Sequence, residues 1–293
     1  MNEDFLAAQF DEHRDRLHAV AYRMLGSGTE ADDALQETWL RLSRSDATSI
    51  ENLGGWLTTV TARVCLNMLR ARRTRREDPL DPHVPDPVVR RAEAVEPEHE
   101  AILADSVGLA LLVVLETLEP PERLAFVLHD MFAVPFDEIA EMLDRSPEAT
   151  RQLASRARRR VQHATVPDTD VSRQREVVDA FFAAARGGDL DALVSVLDPD
   201  VVIRSEGGEA RPYASLVVRG ARSVARRAIA YSQPGATLHP VLVNGSAGVV
   251  VILDDELFSI MGFTVTDDKI VAIDVLADPE RIGRLDLSAL DAR

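Results

Sequence analysis

Between Arg145 and Arg160 the chain carries six arginines against a single acid, Glu148, and between Thr61 and Arg76 it carries six more with none. Guanidinium groups at that density neutralise a polyanion and release its condensed counterions, and they hold phosphate or guanine edges in two-pronged hydrogen bonds. In the later run Ser146, Glu148, Thr150, Arg151, Gln152, Ser155, Arg156 and Arg159 supply donors, acceptors and cations to one short stretch. Arginine and glutamine there can read base edges, and hydroxyls can hold phosphates. In the earlier run Arg63, Asn67 and Arg70 fall at i, i+4 and i+7, so two cations and an amide share one helix face, with Arg73 close by. The whole chain has a formal charge of −16. Exposed charges separated by more than about 8 Å are largely screened at physiological salt, so the local field of each island governs what docks on it.

Helices must position these groups. Leu17, Val20, Ala21, Met24 and Leu25 recur at helical spacing, and Ala31, Leu35, Trp39 and Leu42 repeat the pattern after a turn at Gly26–Thr29. A third helix from about Trp56 buries Leu57, Val60, Thr61, Val64 and Met68, which leaves Arg63, Asn67 and Arg70 on its opposite face. The stretch from Glu77 to Glu100 holds Pro79, Pro82, Pro85, Pro87 and Pro97 among many acids and reads as a linker without regular structure. Helical pattern then resumes. Phe136–Leu143, a turn at Asp144–Ser146 and a helix from Pro147 form a helix-turn-helix, with Ser146 as N-cap and Pro147 at the first helical position. Ile139, Ala140, Leu143, Leu153 and Ala157 are expected to pack the pair.

From about Ser172 two short helical patterns lead into β-branched runs at Val201–Ile203, Leu238–Val243, Val249–Leu253, Phe258–Val265 and Ile270–Val275. Asn244-Gly245, Asp254-Asp255 and Asp267-Asp268 mark antiparallel hairpins between the later runs. The expected fold class is multidomain: two all-α domains, the second with the helix-turn-helix, followed by an α+β domain. A length of 293 residues accommodates two or three domains, and 46% hydrophobic with 28% charged residues is ordinary globular composition. The longest apolar run, Leu109–Leu115, is too short to span a bilayer, and the acidic N-terminus lacks the features of a signal peptide. Cytoplasmic location without membrane association is expected. Cys65 is the only cysteine, and the histidines lack metal-ligand spacing, so neither a disulfide nor a metal or cofactor is expected.

Taken together, these stretches resemble a sigma factor of the extracytoplasmic function (ECF) type over about the first 165 residues. Ala31–Leu42 looks like the family's acidic polymerase-binding helix, Trp56–Arg70 like its promoter-melting helix, and the helix-turn-helix like its upstream-element reader. The resemblance implies a domain at residues 1–76 for core RNA polymerase and the minus-ten element, a linker at 77–100, and a minus-thirty-five domain at 101–165. Asp32, Asp33, Gln36 and Glu37 would face the polymerase clamp helices. Arg63, Asn67 and Arg70 would approach the minus-ten element of promoter DNA, with the loop at Arg44–Gly55 holding an unstacked base. The resemblance implies no enzyme activity and a chain that is monomeric when free. Trp39 and Trp56 lie on or beside apolar stripes and are expected to be core residues.

Residues 170–285 resemble the SnoaL-like, cone-shaped α+β fold, an extension that acts in one sigma-factor subgroup as a built-in regulator. That subgroup's Trp-Leu-Pro linker element is missing, with Pro79-Leu80-Asp81-Pro82 nearby. Its Asp-Gly-Gly-Gly-Lys loop is matched by Glu206-Gly207-Gly208-Glu209, and its Asn-Pro-Asp-Lys-Leu tail by Ala277–Ile282. Glu206, Gly207, Gly208, Asp278 and Pro279 are the implied residues of interdomain regulation. SnoaL-like folds also host cyclases and isomerases, for which His239, Asp254, Glu256 and Asp274 are the candidate bases. A cavity lined by Phe181, Phe182, Phe258 and Phe263 keeps a small-molecule ligand open. The alternative reading is a helix-turn-helix transcriptional regulator with a ligand-sensing or vestigial cyclase/isomerase domain, which leaves the first helical domain unexplained.

Overall fold

A computed structural model describes residues 3–45, 50–75, 83–92, 108–162, 168–233 and 235–287. The chain divides into two units, residues 1–79 with 114–163, and residues 80–113 with 164–293. In the first, α1 (Glu3–Leu25), α2 (Gly28–Arg44) and α3 (Leu53–Arg75) pack together. Ser27 caps α2 by accepting the Glu30 N–H, a contact worth about 1 kcal/mol. Leu17, Met24, Leu42 and Leu57 are fully enclosed. A buried hydroxyl pair, Thr38 and Thr61 at 3.2 Å, ties α2 to α3, and Thr38 also donates to the Ala34 carbonyl. The pair is therefore satisfied without water.

Strand β1 (Val89–Arg91) lies in the proline-rich stretch and belongs to the second unit. Helices α4 (Leu109–Glu116) and α5 (Pro120–Phe126, continued by a π-helical turn at Val127–Met131) lead to α6 (Phe136–Leu143) and α7 (Pro147–Val161). As expected, Ser146 caps α7 by accepting the Ala149 N–H, and Ile139, Ala140, Leu143, Leu153 and Ala157 are buried. Asp144 makes the turn with φ of 53°. Within the first unit α3 also packs on α5 and α6.

The second unit sets α8 (Val171–Gly187), α9 (Leu190–Val196) and α10 (Ala221–Tyr231) against a sheet of β2 (Leu197–Glu206), β3 (Leu216–Arg219), β4 (Thr237–Val243), β5 (Ser246–Leu253), β6 (Glu256–Thr266) and β7 (Lys269–Leu276), with α11 (Pro279–Ile282) after it. Strand order is β1-β4-β5-β6-β7-β2-β3, antiparallel except for the parallel β2–β7 pair. This is the α+β cone that the sequence implied. Asn244-Gly245, Asp254-Asp255 and Asp267-Asp268 all have positive φ at both positions, the backbone of hairpin turns whose twist matches the strands. Val178, Phe181, Leu193, Val224, Phe263 and Ile273 are among its core residues.

Two elements depart from expectation. Proline density argued against regular structure in the linker, yet Val89–Arg91 pairs antiparallel with Val241–Val243. An edge strand needs donors on one side only, so prolines just before it are tolerated. The β3–α10 segment also escaped the periodicity, because β3 is four residues long and alternates between half-buried and exposed with no buried residue.

Candidate nucleic-acid interface and linker clamp

On α3 the polar ridge forms as its spacing requires: Arg63, Asn67 and Arg70 are exposed, with Leu57, Thr61 and Val64 buried behind them. The side chain of Arg73 lies outside the described residues, as do residues 46–49 of the loop before α3. Arg63 donates to the Glu141 carbonyl on α6 at 3.2 Å. Arg123 on α5 is fully buried and donates to the Arg23 carbonyl on α1 at 3.1 Å. Burial pushes its pKa down to about 10, against the opposing pull of Glu116. These contacts join the two helical halves within the first unit.

On α7, Glu148, Arg151, Gln152, Ser155, Arg156 and Arg159 are exposed, and Arg151 stacks over the Phe136 ring. Thr150 does not share that face. It is completely buried, and its hydroxyl donates to the Ser146 carbonyl at 3.1 Å. Positions 150, 153, 154 and 157 form one helical stripe, so Thr150 belongs to the buried face. The Ser146 hydroxyl serves the helix cap. Arg156 and Arg160 both pair with the carboxylate of the buried Glu122, and Arg158 pairs with Asp130. Part of the basic island thus fastens α7 to its own domain.

On α2, Asp32, Asp33 and Gln36 are exposed. Glu37 accepts from Arg41 at 2.8 Å, and His18 approaches Asp32 at 3.7 Å. Leu40, 39% exposed, lies on the same helix. A large aliphatic side chain among acids on an exposed helix suits a protein partner better than nucleic acid. Trp39 packs edge-to-face on Phe10 with centroids 5.4 Å apart.

Within the second unit the linker is clamped. Glu206, at the end of β2, accepts the Val84 N–H at 2.7 Å and faces His83 Nδ1 at 3.2 Å and Arg281 Nη1 at 2.7 Å. Burial alone would raise the Glu206 pKa, but His83, Arg281 and the Val84 amide more than offset it and hold it at about 2. Arg281 also donates to the Val84 carbonyl at 2.7 Å and to Asp86. Asn244 completes the grip, with its side-chain oxygen accepting the Val88 N–H and its own N–H donating to the Val88 carbonyl.

Gly207 and Gly208 are required by close approach. A Cβ on Gly207 would lie 2.1 Å from the Arg211 carbonyl oxygen, and one on Gly208, where φ is 62°, would lie 2.3 Å from the Asp278 carboxylate. Asp278 caps α11 through the Glu280 N–H, and Pro279 is exposed at its first position. The docked linker is His83-Val84-Pro85. The expected location, Pro79-Leu80-Asp81-Pro82, lies outside the described residues. A ring, an aliphatic residue and a proline repeat the character of Trp-Leu-Pro, and allowing histidine for tryptophan would have found it. Arg281 and Asp86 were missed as a pair because nothing local links positions so far apart.

Of the candidate bases, His239, Asp254 and Glu256 are exposed, and Asp274 is buried against Arg204 at 2.8 Å. Burial pushes the Asp274 carboxyl up while Arg204 pulls it down. None of the four lines the apolar cavity of this unit, whose wall includes Phe181, Phe182 and Phe258; Phe263 packs behind the first two. Among the described residues no group of histidine, cysteine, aspartate or glutamate could hold a metal ion, and no helix is long and apolar enough to cross a membrane.

Comparison with known proteins agrees with this layout. Residues 9–75 match the Sigma-70 region 2 family, and residues 108–161 match Sigma-70, region 4. The chain is 39% identical over 288 residues to the ECF RNA polymerase sigma factor SigJ of Mycobacterium tuberculosis, covering 94% of this chain and 92% of that one. It is 34% identical over 284 residues to the probable ECF RNA polymerase sigma factor SigI of the same organism, covering 96% of each. The crystal structure of M. tuberculosis SigJ superposes with a TM-score of 0.75 at 36% identity over 96% of this chain and 99% of that one.

Proposed function

The chain belongs to the ECF RNA polymerase sigma factors, and on that premise we propose how its parts divide the work. It is an alternative sigma factor that binds core RNA polymerase and directs transcription initiation at specific promoters. Residues 1–76 take the polymerase and the minus-ten element, with Asp32, Asp33, Gln36 and Glu37 toward the polymerase and Arg63, Asn67, Arg70 and Arg73 toward DNA. Residues 101–165 read the minus-thirty-five element through Glu148, Arg151, Gln152, Ser155, Arg156 and Arg159, with Ser146 shaping the helix start. Residues 77–100 link them, and residues 170–285 regulate.

The α3–α6 contact supports a closed resting state. The two promoter elements lie roughly 25 base pairs apart, or about 85 Å at 3.4 Å per step. A packed unit of this length has a radius of gyration of about 14 Å. Arg63 bonded to Glu141 therefore belongs to a form that cannot read both elements. Opening must precede promoter engagement.

One observation carries the regulatory assignment: the linker between the two DNA-reading halves is held by Glu206 and Arg281 of the C-terminal domain. A domain that fixes the linker sets how far the halves can separate. Catalysis is not assigned to it, since no carboxylate or imidazole stands among the described residues lining its cavity. A small molecule in that cavity would act as a signal.

Run-off transcription with bacterial core polymerase on a promoter library tests the proposal, comparing the full chain with Glu206→Gln/Arg281→Gln and with a chain ending at Thr165. Higher activity in the variants means the clamp inhibits, and lower activity means it holds the productive arrangement. Activity that does not respond to the clamp variant overturns the regulatory assignment.

A further inference from the structure

The cavity of the C-terminal domain has a volume of about 170 Å³ and opens to the surface between α8, α10 and the strands. An engineered apolar cavity of about 150 Å³ holds benzene. Its inner wall is apolar, with Phe181, Ile203, Val251, Met261 and Val275. Its polar side chains are the neutral Ser205, Ser232, Gln233 and Ser259 and two cations. Arg186 and Arg227 reach the lining, whereas no aspartate, glutamate or histidine does among the described residues. Tyr213 and Tyr231, 61% and 46% exposed, also line it and are among the few large apolar side chains of the described protein left to solvent. Arg227 lies over the Tyr231 ring at 4.2 Å and donates to its hydroxyl at 2.8 Å, which fixes the guanidinium beside the ring.

An apolar pocket with a cationic, aromatic mouth recognises a small amphipathic anion. We infer that this cavity binds a small apolar carboxylate, a single aromatic ring or a short alkyl chain, with the ring or chain inside and the carboxylate at Arg227 and Arg186. Burying the apolar part supplies affinity, and the guanidinium groups select the anion over its neutral analogue.

The cavity shares a wall with the linker clamp. Ser205 lines the cavity and its neighbour Glu206 grips Val84. Ala277 lines it as well, and its N–H donates to the Glu206 carbonyl at 2.7 Å. Arg211 ties the same corner by donating to the carbonyls of Phe258 and Ala277. A ligand pressing on Ser205, Phe258 and Ala277 therefore acts on the backbone that carries the clamp. Binding and linker docking are coupled in both directions. The inference extends the proposed regulatory role of the domain by naming what it senses, while its binding test is independent of transcription.

Titration calorimetry on the full chain with phenylacetate and octanoate, against phenylethanol and octanol, tests it. At least one acid is expected to bind saturably and about tenfold more tightly than its alcohol. Arg227→Gln and Arg186→Gln should each weaken that preference, and Ala228→Trp, which fills the cavity, should abolish binding; thermal unfolding of each variant separates lost binding from lost fold. Arg281→Gln should shift the acid's affinity severalfold. Absence of saturable binding at millimolar concentration, equal binding of acid and alcohol, or binding that survives Ala228→Trp overturns the site. An affinity unmoved by Arg281→Gln overturns the coupling, and a failed regulatory role would show instead as transcription indifferent to the clamp variant.

Discussion

The carboxylate of Glu206 accepts the backbone N–H of Val84 at 2.7 Å, across 122 positions of sequence. Glu206→Gln keeps the shape and removes the charge that answers His83 and Arg281. Hydrogen bonds to charged groups contribute about 1.5 to 3 kcal/mol. Amide exchange at Val84 and Val89–Arg91 should accelerate by one to two orders of magnitude, about what that energy implies. Unchanged protection would mean that β1 pairing alone holds the linker.

The same carboxylate gives the clamp an acid limit. Its folded pKa is about 2 against an ordinary 4.5, so its stabilisation is complete above about pH 4.5 and disappears as pH falls toward 2. The difference corresponds to about 3 kcal/mol as an order of magnitude. Urea unfolding of the C-terminal domain should lose stability across that window in the parent chain and lose less of it in Glu206→Gln. Parallel curves for the two proteins would remove Glu206 from the acid response.

How much of this was legible in the sequence depended on the range of the interaction. The α3 ridge and the Ser146-Pro147 helix start follow from spacing and capping, which are properties of a few adjacent residues. The hairpins followed from paired residues that tolerate positive φ. Thr150 was misread because a threonine on an amphipathic helix satisfies its hydroxyl against the Ser146 carbonyl and can then be buried. The clamp was only half visible: Glu206 stood out beside two glycines, but Arg281 and Asp86 are brought together by the sheet, and no local pattern encodes that.

Polymerase binding should depend on the acidic face of α2. Asp33→Arg with Glu37→Arg reverses two charges at positions that are exposed or half-buried, so helix content and unfolding midpoint should hold while affinity for core polymerase falls at least tenfold. Leu40→Ser should weaken the complex without altering its salt dependence, because it removes apolar area and no charge. Pull-down and fluorescence anisotropy at two salt concentrations distinguish the two effects. Retention of full affinity by the double variant would move the docking surface elsewhere.

On α7 the proposed DNA-reading side chains, Arg151 and Gln152, differ from Arg156, which pairs with the buried Glu122. Arg151→Ala or Gln152→Ala should cost about 1 to 3 kcal/mol at one upstream base and relax the preference there. Thr150→Val, at a buried position, should change DNA affinity little and stability slightly. Arg156→Ala removes a partner of the buried Glu122 and should lower stability as well as binding to every sequence. Binding to a panel of single-base promoter variants, with unfolding curves alongside, sorts these outcomes, and equal loss on all sequences for Arg151→Ala would make it a phosphate contact.

Arg123 is the test of the closed unit. Its guanidinium is fully buried, donates to the Arg23 carbonyl and lies close enough to Glu116 to feel its charge. Removing one partner of a buried charge network commonly costs about 3 to 5 kcal/mol, because the remaining charge stays in a poor solvent. Arg123→Ala should therefore destabilise the helical unit by that order in urea unfolding. Arg63→Ala, which breaks only an exposed bond to the Glu141 carbonyl, should leave stability within about 0.5 kcal/mol. If packing of α3 on α6 restrains the free protein, a spin-label pair on α3 and α7 should broaden toward longer distances in Arg123→Ala before global unfolding. A narrow distribution identical to the parent's would show that Arg123 stabilises one half of the unit without latching it to the other.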